Sequence, residues 1–235
     1  MHDLERKPIE PAIRGVILDM DGLMLDTEGM SRAAWRKTLA ERGLSLSDER
    51  YLELIGLTLS DVGKKMRVWY GADIPYDSIY KRKLVLVDEI IASDGIPQKP
   101  GLTALLDALD SLGLRKAVAT STSRDRAMYK LKIAGVAAKF EAFVGGDDVA
   151  RGKPAPDIFL RAADRLTLPP QECLVLEDSD PGVLAARAAG MRVIIVPDMK
   201  PPSPDAAAAG WQVLPDLNRV AIFLTQYFSA RMEDL

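Results

Sequence analysis

Histidine and cysteine are nearly missing from this chain. Its 235 residues include one histidine, His2, and one cysteine, Cys173. A lone histidine beside the start argues against a Ser-His-Asp triad, a histidine phosphoenzyme and a multi-histidine zinc site. A lone cysteine excludes an intrachain disulfide. Its place in the apolar run Cys173-Leu174-Val175-Leu176 fits a small buried hydrophobe better than a nucleophile. The apolar runs are short and broken by charge, so no segment is expected to span a bilayer. Met1 to Ala12 is charged, holds two prolines and has no apolar core like that of a secretory signal, so a cytoplasmic protein is expected. A surplus of positive charge is absent too. The net charge is -3, which does not suggest nucleic acid or an anionic membrane as a partner. Two nucleotide motifs are also missing. Pro154 stands after Gly152-Lys153 where a P-loop needs Ser or Thr, and no G-x-G-x-x-G follows the first apolar run. Chemistry is left to carboxylates, hydroxyls, lysine, arginine and a metal.

Five short apolar runs are present, each ending in polar, acidic or glycine residues. They are Gly15 to Leu18 before Asp19, Lys116 to Ala119 before Thr120-Ser121, and Glu141 to Val144 before Gly145-Gly146. Cys173 to Leu176 before Glu177-Asp178 and Arg192 to Val196 before Pro197-Asp198 complete the set. Such continuous runs fit parallel strands covered on both faces. Amphipathic segments lie between them: Leu102 to Leu112, Arg124 to Ala134, Pro156 to Leu166 and Pro181 to Ala189, with Asp180 as N-cap and Gly190 as stop. The alternation predicts an α/β fold with a doubly wound parallel sheet. It breaks between Glu28 and about Ser93, which reads as helices over 28–42, 48–55, 60–70 and 75–91. The predicted organisation is a catalytic core of residues 1–26 and 96–235 with an inserted helical domain, 27–95. Ala206 to Ala209 is expected in a surface loop, and Leu217 to Met232 as a closing helix.

The polar strand ends suit phosphoryl chemistry. In Asp19-Met20-Asp21-Gly22, residues two apart in an extended segment point to one side, so two carboxylates face one pocket. One can attack phosphorus while the other exchanges a proton with leaving group or water. Glu177-Asp178 adds acid at another strand end. Converging carboxylates repel unless a cation lies between them, and magnesium prefers oxygen ligands. Thr120-Ser121 offers hydroxyls and N–H groups before a helix. Lys153 can neutralise phosphate charge. Taken singly, these are also what an acidic loop, a helix cap and a solvated lysine look like.

In order, with a helical insert after the first motif, they resemble the haloacid dehalogenase superfamily, in the branch of β-phosphoglucomutase and small-molecule phosphatases. The resemblance is carried by Asp19-Met20-Asp21-Gly22-Leu23, Ala119-Thr120-Ser121, Gly152-Lys153-Pro154-Ala155-Pro156-Asp157 and Leu176-Glu177-Asp178-Ser179. It implies an aspartyl-phosphate on Asp19, with Asp21 as proton donor and acceptor. Thr120, or its rival Ser121, would hold the phosphoryl group with Lys153. Magnesium would bind Asp19, the Asp21 carbonyl and Asp178, with Glu177 a further contact and Asp147 in its outer shell. The inserted helices would be a cap, the substrate a small phosphate ester, and the protein a monomer. Dehalogenases of the family lack the second aspartate of the first motif. Its phosphosugar mutases carry a cap histidine and arginine where Ser31 and Leu59 stand here, unless Lys64, Lys65 or Arg67 supplies the charge. A phosphatase is therefore favoured over a mutase. The alternative from another class is a ligand-binding protein without turnover.

Overall fold

The computed structural model describes residues 12–55, 57 and 59–233. His2 and the stretch before Ala12 lie outside the described residues. The chain runs β1 (Gly15–Leu18), α1 (Thr27–Ala40), α2 (Asp48–Leu52), α3 (Leu59–Tyr70), α4 (Tyr76–Asp94), α5 (Leu102–Ser111), β2 (Arg115–Ala119) and α6 (Arg124–Ile133). It continues through β3 (Ala142–Val144), α7 (Asp157–Arg165), β4 (Cys173–Glu177), α8 (Asp180–Ala188), β5 (Arg192–Ile195), α9 (Pro204–Ala209), β6 (Gln212–Val213) and α10 (Leu217–Glu233).

The strands form one sheet in the order β3-β2-β1-β4-β5-β6, and every pairing is parallel. β1 is central, with Leu18 beside Val118 on one side and Leu176 on the other. Alternation sorts the strand side chains. Val16, Leu18, Val118, Leu174 and Ile194 join the layer of α5, α6 and α10, whereas Ile17, Ala117, Val175 and Val193 join that of α7 and α8. Both faces are thus covered, and each fully buried Leu or Ile contributes about 1.5–3 kcal/mol. The chain builds outward from β1 to β3, then returns to β4 on the other side of β1. That reversal opens a crevice at the carboxyl ends of β1 and β4.

Local chemistry sets the helix starts. Asp26 accepts from Gly29 N at 3.1 Å ahead of α1, and Ser47 caps α2. α8 is capped by Ser179, whose hydroxyl accepts from Gly182 N at 3.3 Å. Asp180, expected as that cap, is the first helical residue and instead accepts from Ser203 N across to the loop before α9. The alanine run 206–209, expected as loop, is helical because Ser203 caps it and Pro204 opens it. β6, two residues long, carries too short a pattern to be read in the sequence.

Helices α1 to α4 follow one another between β1 and α5 and share an apolar cluster of their own, including Trp35, Leu39, Tyr51, Met66 and Ile79. The chain enters and leaves them side by side. Leu25 and Gln98 form an antiparallel bridge, Asp26 N donates to Pro97 O at 2.9 Å, and Lys99 N donates to Met24 O at 2.8 Å. Among the described residues, no helix is long and apolar enough to cross a membrane.

Candidate active site

The carboxyl ends of β1, β2 and β4 open on one cavity of about 880 Å³. Asp19, Asp21, Thr120, Lys153 and Asp178 line it from the sheet side. Glu28, Ile55, Leu57 and Tyr80 line it from the helical segment.

Asp19 follows β1 directly, and its N–H donates to Leu176 O at 3.1 Å, so the strand pairing itself holds it. Its side chain is buried against the ammonium of Lys153, which also donates to Glu177 Oε1 and, at 3.3 Å, to Ala119 O. Burial drives the Asp19 carboxyl up, the Lys153 charge opposes this, and Glu177 adds to it; the result is a pKa of about 7. For Lys153, burial alone would favour the neutral amine. Asp19 and Glu177 outweigh burial and hold the ammonium charged, above the usual lysine range.

Glu177 is fully buried, and each of its oxygens is engaged by the protein. Oε1 takes Lys153, while Oε2 accepts from Asp178 N, Ser179 N and Ser179 Oγ at 2.8–2.9 Å. Expected as a possible metal contact, it anchors Lys153 and the turn into α8 through these bonds. Asp178 keeps its carboxylate on the cavity. Burial, with Glu177 and Asp19 close by, pushes its pKa well above the usual carboxylate range.

Asp21 stands apart from that cluster. Its Oδ1 accepts from Lys130 Nζ and its Oδ2 from Thr122 Oγ1, both at 2.6 Å. Burial alone would raise its pKa. The Lys130 ammonium and the two hydrogen bonds reverse this and hold the carboxyl below its ordinary value. Thr120 is buried at the end of β2, with Oγ1 accepting from Thr122 N at 3.2 Å, whereas Ser121 is exposed on the cavity wall. Asp147, expected near a metal's outer shell, accepts from Arg124 N at 2.7 Å at the start of α6 and does not line the cavity.

Sequence reasoning missed Thr122, Lys130 and Asp198. Thr122 was within reach of the two-residue rule that pairs it with Thr120. Asp198 follows β5 as the other site acids follow their strands. Its Oδ1 accepts from Lys99 Nζ at 2.5 Å, and its Oδ2 is buried without a partner near Gly22. Lys64 and Lys65, weighed as cations for a second phosphate, pair with Asp61 and Glu53 on an exposed face. Among the described residues of the helical segment, Lys83 lines an adjoining cavity of about 180 Å³ with Glu28, Ser31, Trp35 and Tyr51.

The chain is similar to known proteins in sequence and fold. The sequence pattern of haloacid dehalogenase-like hydrolases matches residues 16–196. Protein CbbY of Rhodobacter capsulatus is 38% identical over 223 residues, covering 89% of this chain and 96% of that protein. The fructose-1-phosphate phosphatase YqaB of Escherichia coli K12 is 34% identical over 184 residues, 77% of this chain and 95% of that one. The crystal structure of CbbY from Rhodobacter sphaeroides in complex with phosphate superimposes with a TM-score of 0.71 at 30% identity. It covers 88% of this chain and 95% of that chain.

Proposed function

We propose, because the chain belongs to the haloacid dehalogenase-like hydrolase family and Asp19 and Asp21 each meet a separate lysine at one cavity, that it is a magnesium-dependent phosphatase working through an aspartyl-phosphate. The family is one of hydrolases, and relatives named as a fructose-1-phosphate phosphatase and a hexitol phosphatase support a phosphomonoester hydrolase acting on a small phosphorylated metabolite such as a sugar phosphate.

The observation that carries the mechanism is the unequal treatment of two carboxylates two residues apart. Asp19 is bound into the Lys153–Glu177 pair, and Asp21 faces the cavity from a different cation. In the proposed reaction an Asp19 oxygen attacks phosphorus. The bond from phosphorus to the ester oxygen breaks, and Asp21 delivers a proton to that oxygen. Water then attacks the aspartyl-phosphate and gives its proton to Asp21. The acyl-oxygen-to-phosphorus bond breaks, and Asp19 and inorganic phosphate are regenerated. Thr120 and Lys153 hold the phosphoryl oxygens throughout.

The residues fit a divalent cation. Asp19 and Glu177 are buried against one ammonium with the half-buried Asp178 beside them on the cavity, and Asp198 keeps a buried oxygen without a partner. Asp19, Asp178 and the main-chain carbonyl of Asp21 would hold magnesium, which supplies positive charge to the phosphoryl oxygens. Residues 27–95 are read as a cap over a core of 1–26 and 96–235, closing on the ester and excluding water. A monomer is proposed, the residues given roles in the reaction all lying in one chain.

The test is magnesium-dependent phosphate release from a panel of sugar, polyol and nucleoside phosphates by wild type and Asp19→Asn. Release that depends on Asp19 is expected. Unchanged release by the variant sinks the reading.

A further inference from the structure

Lysines on surface helices ordinarily reach water, because burying an ammonium is costly unless it is paired. α6 carries Arg124, Arg126, Lys130 and Lys132, yet Lys130 is turned inward among its buried residues with Ala127 and Leu131. Its side chain is 10% exposed, and its ammonium meets Asp21 Oδ1 at 2.6 Å. The other oxygen, Oδ2, takes Thr122 Oγ1 at 2.6 Å from just ahead of the same helix. Asp21 and Thr122 line the cavity and Lys130 does not, so Lys130 reaches the site only through Asp21.

The two donors differ in kind. An ammonium has three donors and no acceptor, so the oxygen it meets must accept, and the unprotonated oxygen of a carboxyl is the better acceptor. A hydroxyl can donate or accept, by rotating. Oδ1 is therefore fixed as an acceptor, and Oδ2, beside Thr122 on the cavity, is left to carry the moving proton. We infer that Lys130 is a positioning residue: it fixes the plane and place of the Asp21 carboxyl and selects Oδ2 as the oxygen that serves the leaving group. The inference rests on the proposed roles of Asp19 as nucleophile and Asp21 as proton carrier.

The experiment compares an alkyl phosphate, whose leaving oxygen needs a proton, with p-nitrophenyl phosphate, whose leaving group departs as an anion. The first-turnover release of alcohol or nitrophenolate is followed in wild type, Lys130→Met, Lys130→Arg, Asp21→Asn, Asp19→Asn and the Asp21→Asn/Lys130→Met double variant. A misplaced reacting group costs about 100-fold. Lys130→Met is expected to lose about that factor on the alkyl ester and less than a tenth as much on the nitrophenyl ester, with little change in KM. Lys130→Arg recovers most of the loss. The double variant matches Asp21→Asn, because Lys130 has nothing left to position. It also leaves no unpaired carboxylate behind, so it reports even where Lys130→Met does not fold. Equal losses on both esters, or a double variant further impaired by a comparable factor, overturn the role of Lys130 alone. Wild-type release by Asp19→Asn overturns the nucleophile reading and this role with it.

Discussion

A β-carbon on Gly22 would lie 2.3 Å from Oδ2 of Asp178. The first motif and the fourth strand end thus touch across a gap that only glycine leaves open. Gly22 also has φ of 88°, a conformation other residues adopt at a cost. Gly22→Ala is expected to displace the Asp178 carboxylate and to weaken magnesium binding at least about tenfold, since ligand position governs affinity. Calorimetric titration of the variant with magnesium checks this. Wild-type affinity would mean that Asp178 is not a ligand.

A second glycine has the same role on the far side of the strand. A β-carbon on Gly182 would stand 1.8 Å from Glu177 Oε1, the oxygen that holds Lys153. Gly182→Ala should therefore expel Glu177 and leave Lys153 half-paired, at a cost of about 3 kcal/mol. Urea unfolding would show the lowered midpoint. An ordinary exposed helix position would gain stability from the same change.

Asp19 titrates in opposition to folding. Its pKa in the folded protein is raised to about 7, whereas in the unfolded chain it is near 4. Between those values the folded protein keeps a proton that the unfolded chain has released, so rising pH weakens the fold across that window. The penalty is complete above it. In the presence of a chelator, Asp19→Asn should raise the melting temperature at pH 8 and leave it unchanged at pH 4. Saturating magnesium should remove the advantage. Melting curves at both pH values decide the matter, and a gain that does not depend on pH would contradict it.

Lys99 and Asp198 pair at 2.5 Å with side chains 23% and 9% exposed. Removing the ammonium leaves an almost buried carboxylate with no partner on either oxygen. Lys99→Met is expected to cost about 2 kcal/mol, a fall of roughly 4–8 °C in melting temperature for a chain of this size. Lys99→Arg should lose little, and differential scanning calorimetry on the pair of variants measures both.

The sheet was legible in the sequence because both of its faces are covered. Runs such as Cys173 to Leu176 and Val193 to Val196 are apolar without interruption, and no competing pattern obscures them. The site residues on strand ends were legible for a related reason: Asp19, Thr120 and Asp178 interrupt apolar runs at the same edge. What was hidden is orientation. Glu177 and Asp178 are adjacent acids, and only the fold turns one toward Lys153 and the other toward the cavity. Lys130 looked like any helix lysine, since its partner lies 109 residues away. Asp180 was read as the cap of α8, and the place belongs to Ser179 one residue earlier, whose hydroxyl reaches Gly182 N.

The bridge between Leu25 and Gln98 puts the departure and return of the chain at one point. Between two such neighbouring positions, a polypeptide of any length can be accommodated without stretching the sheet or moving Asp19. On the proposed function, the parts that contact phosphorus and the parts that contact the rest of the ester are therefore separable in inheritance. A lineage can exchange or rebuild the helices to take up a new metabolite while the machinery for breaking the phosphoester bond is passed on unchanged.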